Sequence, residues 1–315
     1  MQIPVQQHAP QRMQSGDSLS SESAGNATTF SSRLAKFVHR PRKEKYLALA
    51  LRARGWFPRM PIPLRLDFGA WWLAQESALD EKLIYEGFET AELKFVERLL
   101  RPGMTVVDAG AHHGLYTLLA SKRVGRPGKV IAFEPSPRER LRLLQHIRLN
   151  RCGNVVVQSC ALGEQKGEAD LFVVDGRDDW FNSLRPPAVT AQTKACKVDV
   201  RRLDEALAAL GVRQVDFIKL DVEGAELSFL RGAVGILHGP SRPAILTEIQ
   251  DCRTQPWGYA AREILEFLEG RRYRWFEIKA SGKLAPASTN LALYDANLVA
   301  LPEERIDEFL NLLAR

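Results

Sequence analysis

Cysteine is scarce in this chain of 315 residues, and none of the four (Cys152, Cys160, Cys196, Cys252) belongs to a Cys-x-x-Cys pair. That spacing argues against the usual zinc motifs and suits reduced thiols in or near a core. No stretch approaches the ~18 consecutive apolar residues that a membrane-crossing helix needs. Met1–Thr29 lacks the charged-then-apolar layout of a secretory leader; rich in Gln, Ser and Ala, it reads as disordered, and the expected location is the cytoplasm. A Gly-x-Gly-x-x-Gly dinucleotide fingerprint is missing as well, which counts against NAD.

Basic residues outnumber acidic ones, giving a formal net charge of +6. That balance favours anionic partners without choosing among them, and it serves equally well for solubility alone. The basic residues concentrate in Phe30–Pro63, from Arg33 and Lys36 to Arg52 and Arg54, among Leu, Ala and Tyr. Such a zone reads as a helical N-terminal extension over 30–84. It is suited either to touch an acidic membrane surface or nucleic acid, or to dock on the main domain with its cations outward. Pro58, Pro61 and Pro63 break any long amphipathic face there.

Beyond this zone, helical spacing of Leu93, Val96, Leu99 and Leu100 predicts a helix over Thr90–Leu100, closed by Arg101-Pro102-Gly103. Short apolar runs then alternate with helical stretches. Strands are expected at Thr105–Ala109, Lys129–Glu134, Val155–Leu162, Asp216–Asp221, Ala244–Ile249, Tyr273–Ile278 and Asn297–Leu301. Ala169–Val174 and Lys197–Val200 read as short additional strands. Intervening helices are expected at Leu115–Arg123, Pro137–Asn150, Leu203–Leu210, Ala225–Ile236 and Ala260–Leu268. Runs such as Val-Ile-Ala-Phe suit parallel strands covered on both faces. The fold class is α/β, with a doubly wound, mostly parallel sheet occupying 85–315.

In such a sheet ligands bind at the carboxyl ends of the strands. The first strand ends in Asp108-Ala109-Gly110-Ala111-His112-His113-Gly114, a small-residue turn that lets backbone amides approach a ligand. The second ends in Phe133-Glu134-Pro135, where a carboxylate can accept both ribose hydroxyls. The third ends in Cys160-Ala161-Leu162, small and apolar enough for Ala161 and Leu162 to flank a flat purine. A packed strand end explains those residues equally well.

The most informative segment is Asp216–Glu226, where Lys219, Asp221 and Glu223 alternate at the end of an apolar strand. Period-two spacing places them on one side if the strand stays extended. Buried charges of this kind pair with one another or do chemistry, with a carboxylate accepting a hydroxyl proton and the lysine tuning charge. A structural Lys–Asp pair is the plainer reading. Glu248 and Asp251 could join Asp221 around a divalent cation, but no compact acidic run supports that, and no metal is expected. His112 and His113 either contact a ligand or only cap and pack. Gln255–Tyr259 reads either as an aromatic lip, with Trp257 over a substrate, or as a packed turn.

Taken together, Val107–Ala111 with Gly114–Thr117, then Phe133–Pro135, then Ile218–Glu226 resemble the FkbM family of methyltransferases. Arg231-Gly232-Ala233, Arg242-Pro243 with Glu248, the polar Asn182-Ser183-Leu184 and Glu89 continue the resemblance, which covers roughly 85–249. It implies a class I methyltransferase fold, Rossmann-like, with S-adenosylmethionine as cofactor and a hydroxyl of a sugar, glycolipid or natural product as acceptor. On that reading Glu89, Asp108, Gly110, Ala111, His112, Gly114, Tyr116, Thr117, Glu134, Pro135, Ala161 and Leu162 hold the cofactor. Asn182, Ser183, Glu248 and Trp257 would face a small-molecule or glycan acceptor, and Asp221, Lys219 and Glu223 would carry the chemistry. His112 departs from the family's usual Asn. An NAD-dependent oxidoreductase or epimerase on a similar sheet, and a non-catalytic nucleic-acid-binding module, are the competing readings.

Overall fold

The computed structural model describes residues 61–75, 77–176, 181–186, 192–239 and 241–314. The polar tail Met1–Thr29 and the basic zone up to residue 60 lie outside the described residues.

Residues 62–74 form a β-hairpin of β1 (Ile62–Arg65) and β2 (Trp71–Ala74), correcting the helix expected across 30–84. The local pattern explains it: Trp72 and Ala74 are buried while Trp71 faces out, a period of two. Among the described residues helix begins at Ala78–Glu81, where Ser77 and Asp80 form a reciprocal capping box.

The central sheet is built from β3 (Thr105–Ala109), β4 (Lys129–Phe133) and β5 (Val155–Gln158) on one side. The strand expected over Val155–Leu162 breaks after Gln158. Ala161–Leu162 leaves as β6 for a second, three-stranded sheet with β7 (Gly167–Val174) and β8 (Thr193–Arg201). Beyond β3 the large sheet continues with β9 (Phe217–Leu220), β10 (Ala244–Gln250), β13 (Asp295–Pro302), β11 (Tyr273–Ile278) and β12 (Leu284–Pro286). The spatial order is β12-β11-β13-β10-β9-β3-β4-β5. The five strands from β5 to β10 run parallel, while β13 pairs antiparallel with both β10 and β11.

Alternate side chains feed two cores. Val107, Ala109, Ile131, Phe133, Ile218 and Leu220 point to the face covered by α4 (Leu203–Ala209), α5 (Glu226–Gly232) and α6 (Arg262–Glu269). Val106, Val130, Phe217 and Leu246 point to the opposite face, covered by α1 (Thr90–Leu99), α2 (Leu115–Val124) and α7 (Ile306–Ala314). The helix α3 (Pro137–Asn150) packs Leu143 on Ala132 and Ala111. Helices on both faces of a largely parallel sheet are the doubly wound architecture the strand–helix alternation predicts.

Two helical expectations differ in detail. Ala225–Ile236 is not one helix: α5 stops at Gly232, where a β-carbon would sit 2.1 Å from the Gly163 carbonyl oxygen, and a second segment runs Val234–His238. The C-terminal α7 was not anticipated. Its buried Phe309 and Leu313 lie four residues apart, and Arg98 and Arg101 donate to the carbonyls of Leu313 and Leu312 at its end.

Candidate functional site

At the carboxyl ends of β3, β4 and β9 the side chains surround a cleft of about 1070 Å³, part of it open to solvent. The β3–β4–β9 register explains the convergence: Ala109 lies beside Phe133 on one neighbour and Leu220 on the other, so all three strands end at one level. Loops leaving these ends are forced together.

The turn after β3 is shaped by close backbone approach. Gly110 has φ +79, its amide and that of Ala111 both donate to Phe133 O at 3.0 Å, and a β-carbon on it would sit 1.7 Å from Asp221 O. Only glycine fits there. Gly114 (φ +94) serves packing instead, since a β-carbon would meet Leu143 Cδ1 at 2.5 Å. His112 is left-handed (φ 49), and its amide donates to Glu134 Oε2 at 2.7 Å. The other carboxylate oxygen of Glu134 accepts from Ser136 N at 2.8 Å. Each oxygen therefore has capacity for one further donor from the cleft. Burial pushes the Glu134 carboxyl up to about 7.

Asp108 is buried beneath the turn and accepts from Thr117 Oγ1 at 2.5 Å; burial raises its carboxyl to about 6. Thr117 is thus a support for Asp108 and does not line the cleft. Tyr116 donates its hydroxyl to Glu89 Oε2 at 2.5 Å, and Glu89, itself left-handed at the start of α1, is raised by burial. Ala111, Pro135, Ala161 and Leu162 line the cleft with Phe133 and Cys160, giving an apolar slot on the β4 side.

On the β9 side the strand ends at Leu220, so the charged trio does not remain extended. Glu223 (φ 54) and Gly224 (φ +94) turn the chain left-handed, yet the trio still converges. Lys219 Nζ is buried 3.2 Å from Asp221 Oδ2 and 5.2 Å from the Tyr116 ring centre. Burial opposes its charge, but Asp221, Glu89 and Glu248 outweigh burial and raise the ammonium above the ordinary lysine value. Carboxylate oxygens of Asp221, Glu223 and Glu248 lie within 4.8 Å of one another. Asp251, by contrast, spends its carboxylate on the amides of Ala261 and Tyr294 and takes no part. Arg253, which sequence reasoning missed, places Nε 3.1 Å from Glu223 and 4.0 Å from Glu248. Burial, and then the Asp221 charge, push Glu223 well above the carboxylate range; the same two causes take Glu248 to about 8.

Asn182 and Ser183 also line the cleft, on a segment bridged to β7 through Phe172. Asn182 Oδ1 accepts from Val174 N at 2.9 Å, and Ser183 Oγ donates to Glu223 O at 2.8 Å. Trp257 lies outside the main cleft, along an adjoining open groove that shares Leu162 and Leu184 with it. Leu79 and Phe88 complete the wall; no motif pointed to them, because they reach the cleft only through the chain preceding β3.

Residues 108–275 match the profile of the Methyltransferase FkbM domain, more than half of the chain. Among curated relatives, the chain is 29% identical over 143 residues to Methyltransferase 1 of Beauveria bassiana, covering 40% of this chain and 57% of that protein. It is 31% identical over 154 residues to Methyltransferase sdnD of Sordaria araneosa, covering 40% of this chain and 59% of that protein. The matches thus span less than two thirds of those relatives' length. A solved methyltransferase FkbM from Methylobacillus flagellatus superposes with a TM-score of 0.40 at 16% identity, covering 81% of this chain and 58% of the other. The profile match runs from the carboxyl end of β3 into β11, through the strand ends of β3, β4 and β9 that frame the cleft, and this chain belongs to the FkbM methyltransferase family.

Proposed function

We propose that this chain is an S-adenosylmethionine-dependent methyltransferase acting on a hydroxyl of a sugar, glycolipid or natural product. One observation carries the reading: the Gly110 turn, the buried Glu134 carboxylate and the Asp221 cluster line a single cleft at the ends of adjacent parallel strands.

The residues fit that cofactor. Glu134 offers acceptor capacity for ribose hydroxyls at the edge of the apolar slot formed by Phe133, Ala161 and Leu162. Asp108, Glu89, Tyr116 and the Gly110–Gly114 turn, with Ala111 and His112, would receive the charged amino-acid end. When bound, the cofactor supplies an electrophilic methyl on a positively charged sulfur.

The chain's own residues would do the rest by positioning and proton handling. Asp221, still about a third exposed, is the group placed to accept the proton that an acceptor hydroxyl loses as its oxygen gains the methyl. Lys219 holds that carboxylate by its ion pair. Glu248, raised by burial to about 8, is placed to exchange a proton near neutral pH, and Glu223, also raised by burial, stands beside it. Asn182 and Ser183 border the cleft where an acceptor would lie.

Calorimetric titration with adenosylmethionine and with NAD tests the reading directly. Uptake of the sulfonium nucleoside and its demethylated product, with no uptake of NAD, is expected. With cofactor binding established, Asp221→Ala should abolish methyl transfer to any identified acceptor while leaving that binding within a few fold.

A further inference from the structure

Glu223 occupies a conformation that side-chain-bearing residues avoid. Its φ of 54 lies in the left-handed region, which is strained for a residue with a β-carbon. Something must hold it there, and the hydrogen bonds show what does. The Glu223 carbonyl accepts from two separate side chains, Ser183 Oγ at 2.8 Å and Trp257 Nε1 at 3.3 Å. The next carbonyl, of Gly224, accepts from Tyr259 OH at 2.7 Å. Glu226 Oε1 accepts from the amides of Val222 and Gly224 at 3.1 and 3.3 Å. Gly224 is packed so tightly that a β-carbon would sit 2.3 Å from Arg253 O and 2.6 Å from Trp257 Cδ1.

Consider what the Trp257 side chain has left for a substrate. Its N–H is committed to Glu223, one edge lies against Gly224, and the Arg185 guanidinium sits 5.3 Å from its ring centre. Its position outside the cleft fits a supporting role better than a stacking surface.

We propose that Ser183 and Trp257 are positioning residues, whose paired donors on the Glu223 carbonyl hold that residue left-handed and so keep its carboxylate against Asp221, Glu248 and Arg253. Two segments distant in sequence would thereby set the charge pattern of the cleft without touching the reacting atoms. The inference deepens the methyl-transfer reading and takes its functional meaning from it, but the geometry can be tested alone. The charged groups facing Glu223 are Asp221 just after β9 (itself paired with Lys219), Glu226 from α5, Glu248 from β10, and Arg253 from the short helix Asp251–Thr254. All stay in place in the variants below.

The test is a pH titration of the full chain carrying ¹³C-carboxyl glutamate, with the Glu223 signal assigned by its loss in Glu223→Gln. Trp257→Phe keeps the ring and removes the N–H; Ser183→Ala removes the hydroxyl; Ser183→Thr restores one. In wild type and Ser183→Thr, Glu223 should titrate well above an ordinary glutamate. In the double variant Trp257→Phe/Ser183→Ala the turn relaxes, and the midpoint should fall by at least one pH unit, with smaller falls in each single variant. Should the double variant not fold, Ser183→Ala against Ser183→Thr carries the comparison. Affinity for S-adenosylhomocysteine, measured on the same samples, should stay within about twofold. An unmoved Glu223 midpoint overturns the positioning role. Failure of wild type to bind the nucleoside overturns the functional reading instead, leaving the titration result to stand by itself.

Discussion

The carbonyl oxygen of Asp221 occupies the space that a β-carbon on residue 110 would need, 1.7 Å from its ideal position. This contact joins the turn after β3 to the turn after β9, so the two sides of the cleft are one packed unit. Gly110→Ala should therefore cost both the strain of φ +79 and a backbone collision, about 4 kcal/mol or more. Gly103→Ala, at φ +91 with nothing within 4 Å, should cost only about 1 kcal/mol. Urea denaturation of the two variants checks this; equal losses would refute the collision.

Stability should decline as pH rises from about 6.5 to 8. Burial raises Glu134 and Glu226 to about 7 and Glu248 to about 8, all above their ordinary 4.5. Between those values the folded chain holds protons that the unfolded chain has released, so each such group stabilises below its unfolded pKa and loses that contribution as pH rises through the folded one. Each fully differing group contributes a slope of about 1.4 kcal/mol per pH unit. The buried imidazoles His113 and His146, both depressed by burial, act oppositely but only below their ordinary 6.5. Unfolding free energies at pH 6.5 and 8.0 give the sign, and Glu248→Gln should flatten the slope; a rise with pH contradicts the assignment.

His146→Ala should loosen the hairpin at 62–74 and the turn after β3 together. His146 Nε2 accepts from Leu73 N at 3.0 Å, which leaves the proton on Nδ1 to donate to His113 O at 2.7 Å, and the ring stacks 4.0 Å from Trp72. Losing the ring leaves a buried donor and acceptor unmatched and opens a void, for about 2–4 kcal/mol. Limited proteolysis should then cut near 66–70 while wild type resists, and affinity for S-adenosylhomocysteine should fall. Unchanged affinity would confine His146 to a structural role.

Lys219→Met should destabilise the fold by about 2–3 kcal/mol, less than the 3–5 of a fully buried broken pair, because Asp221 keeps partial contact with water. It removes the cation that Asp221, Glu89 and Glu248 share. Thermal and urea unfolding measure the loss, and a variant as stable as wild type would show the ion pair to be dispensable.

Much of the architecture was legible along the chain because it is encoded locally. Near-continuous apolar runs marked β3, β4 and β9, and the apolar stripes marked α1, α2 and α3 almost to the residue. Gly110, Glu134 and Asp221 could be singled out because each ends a strand, and parallel strands end on one side. Period-two and period-3.6 patterns are properties of neighbouring residues, so they survive without knowledge of the rest. The hairpin at 62–74 was missed because strands of four residues carry little periodicity, and its buried face acquires meaning only against His146 and Arg142. Nothing near Arg253 in sequence announces Glu223, and nothing near Glu223 announces Ser183 or Trp257. Those partners meet because β9 and β10 pair in parallel and a distant segment folds back over them. Local chemistry thus determined which strands end in charged or small residues, while long-range packing chose which of those groups touch, how deeply each is buried, and hence which of them hold protons near neutral pH.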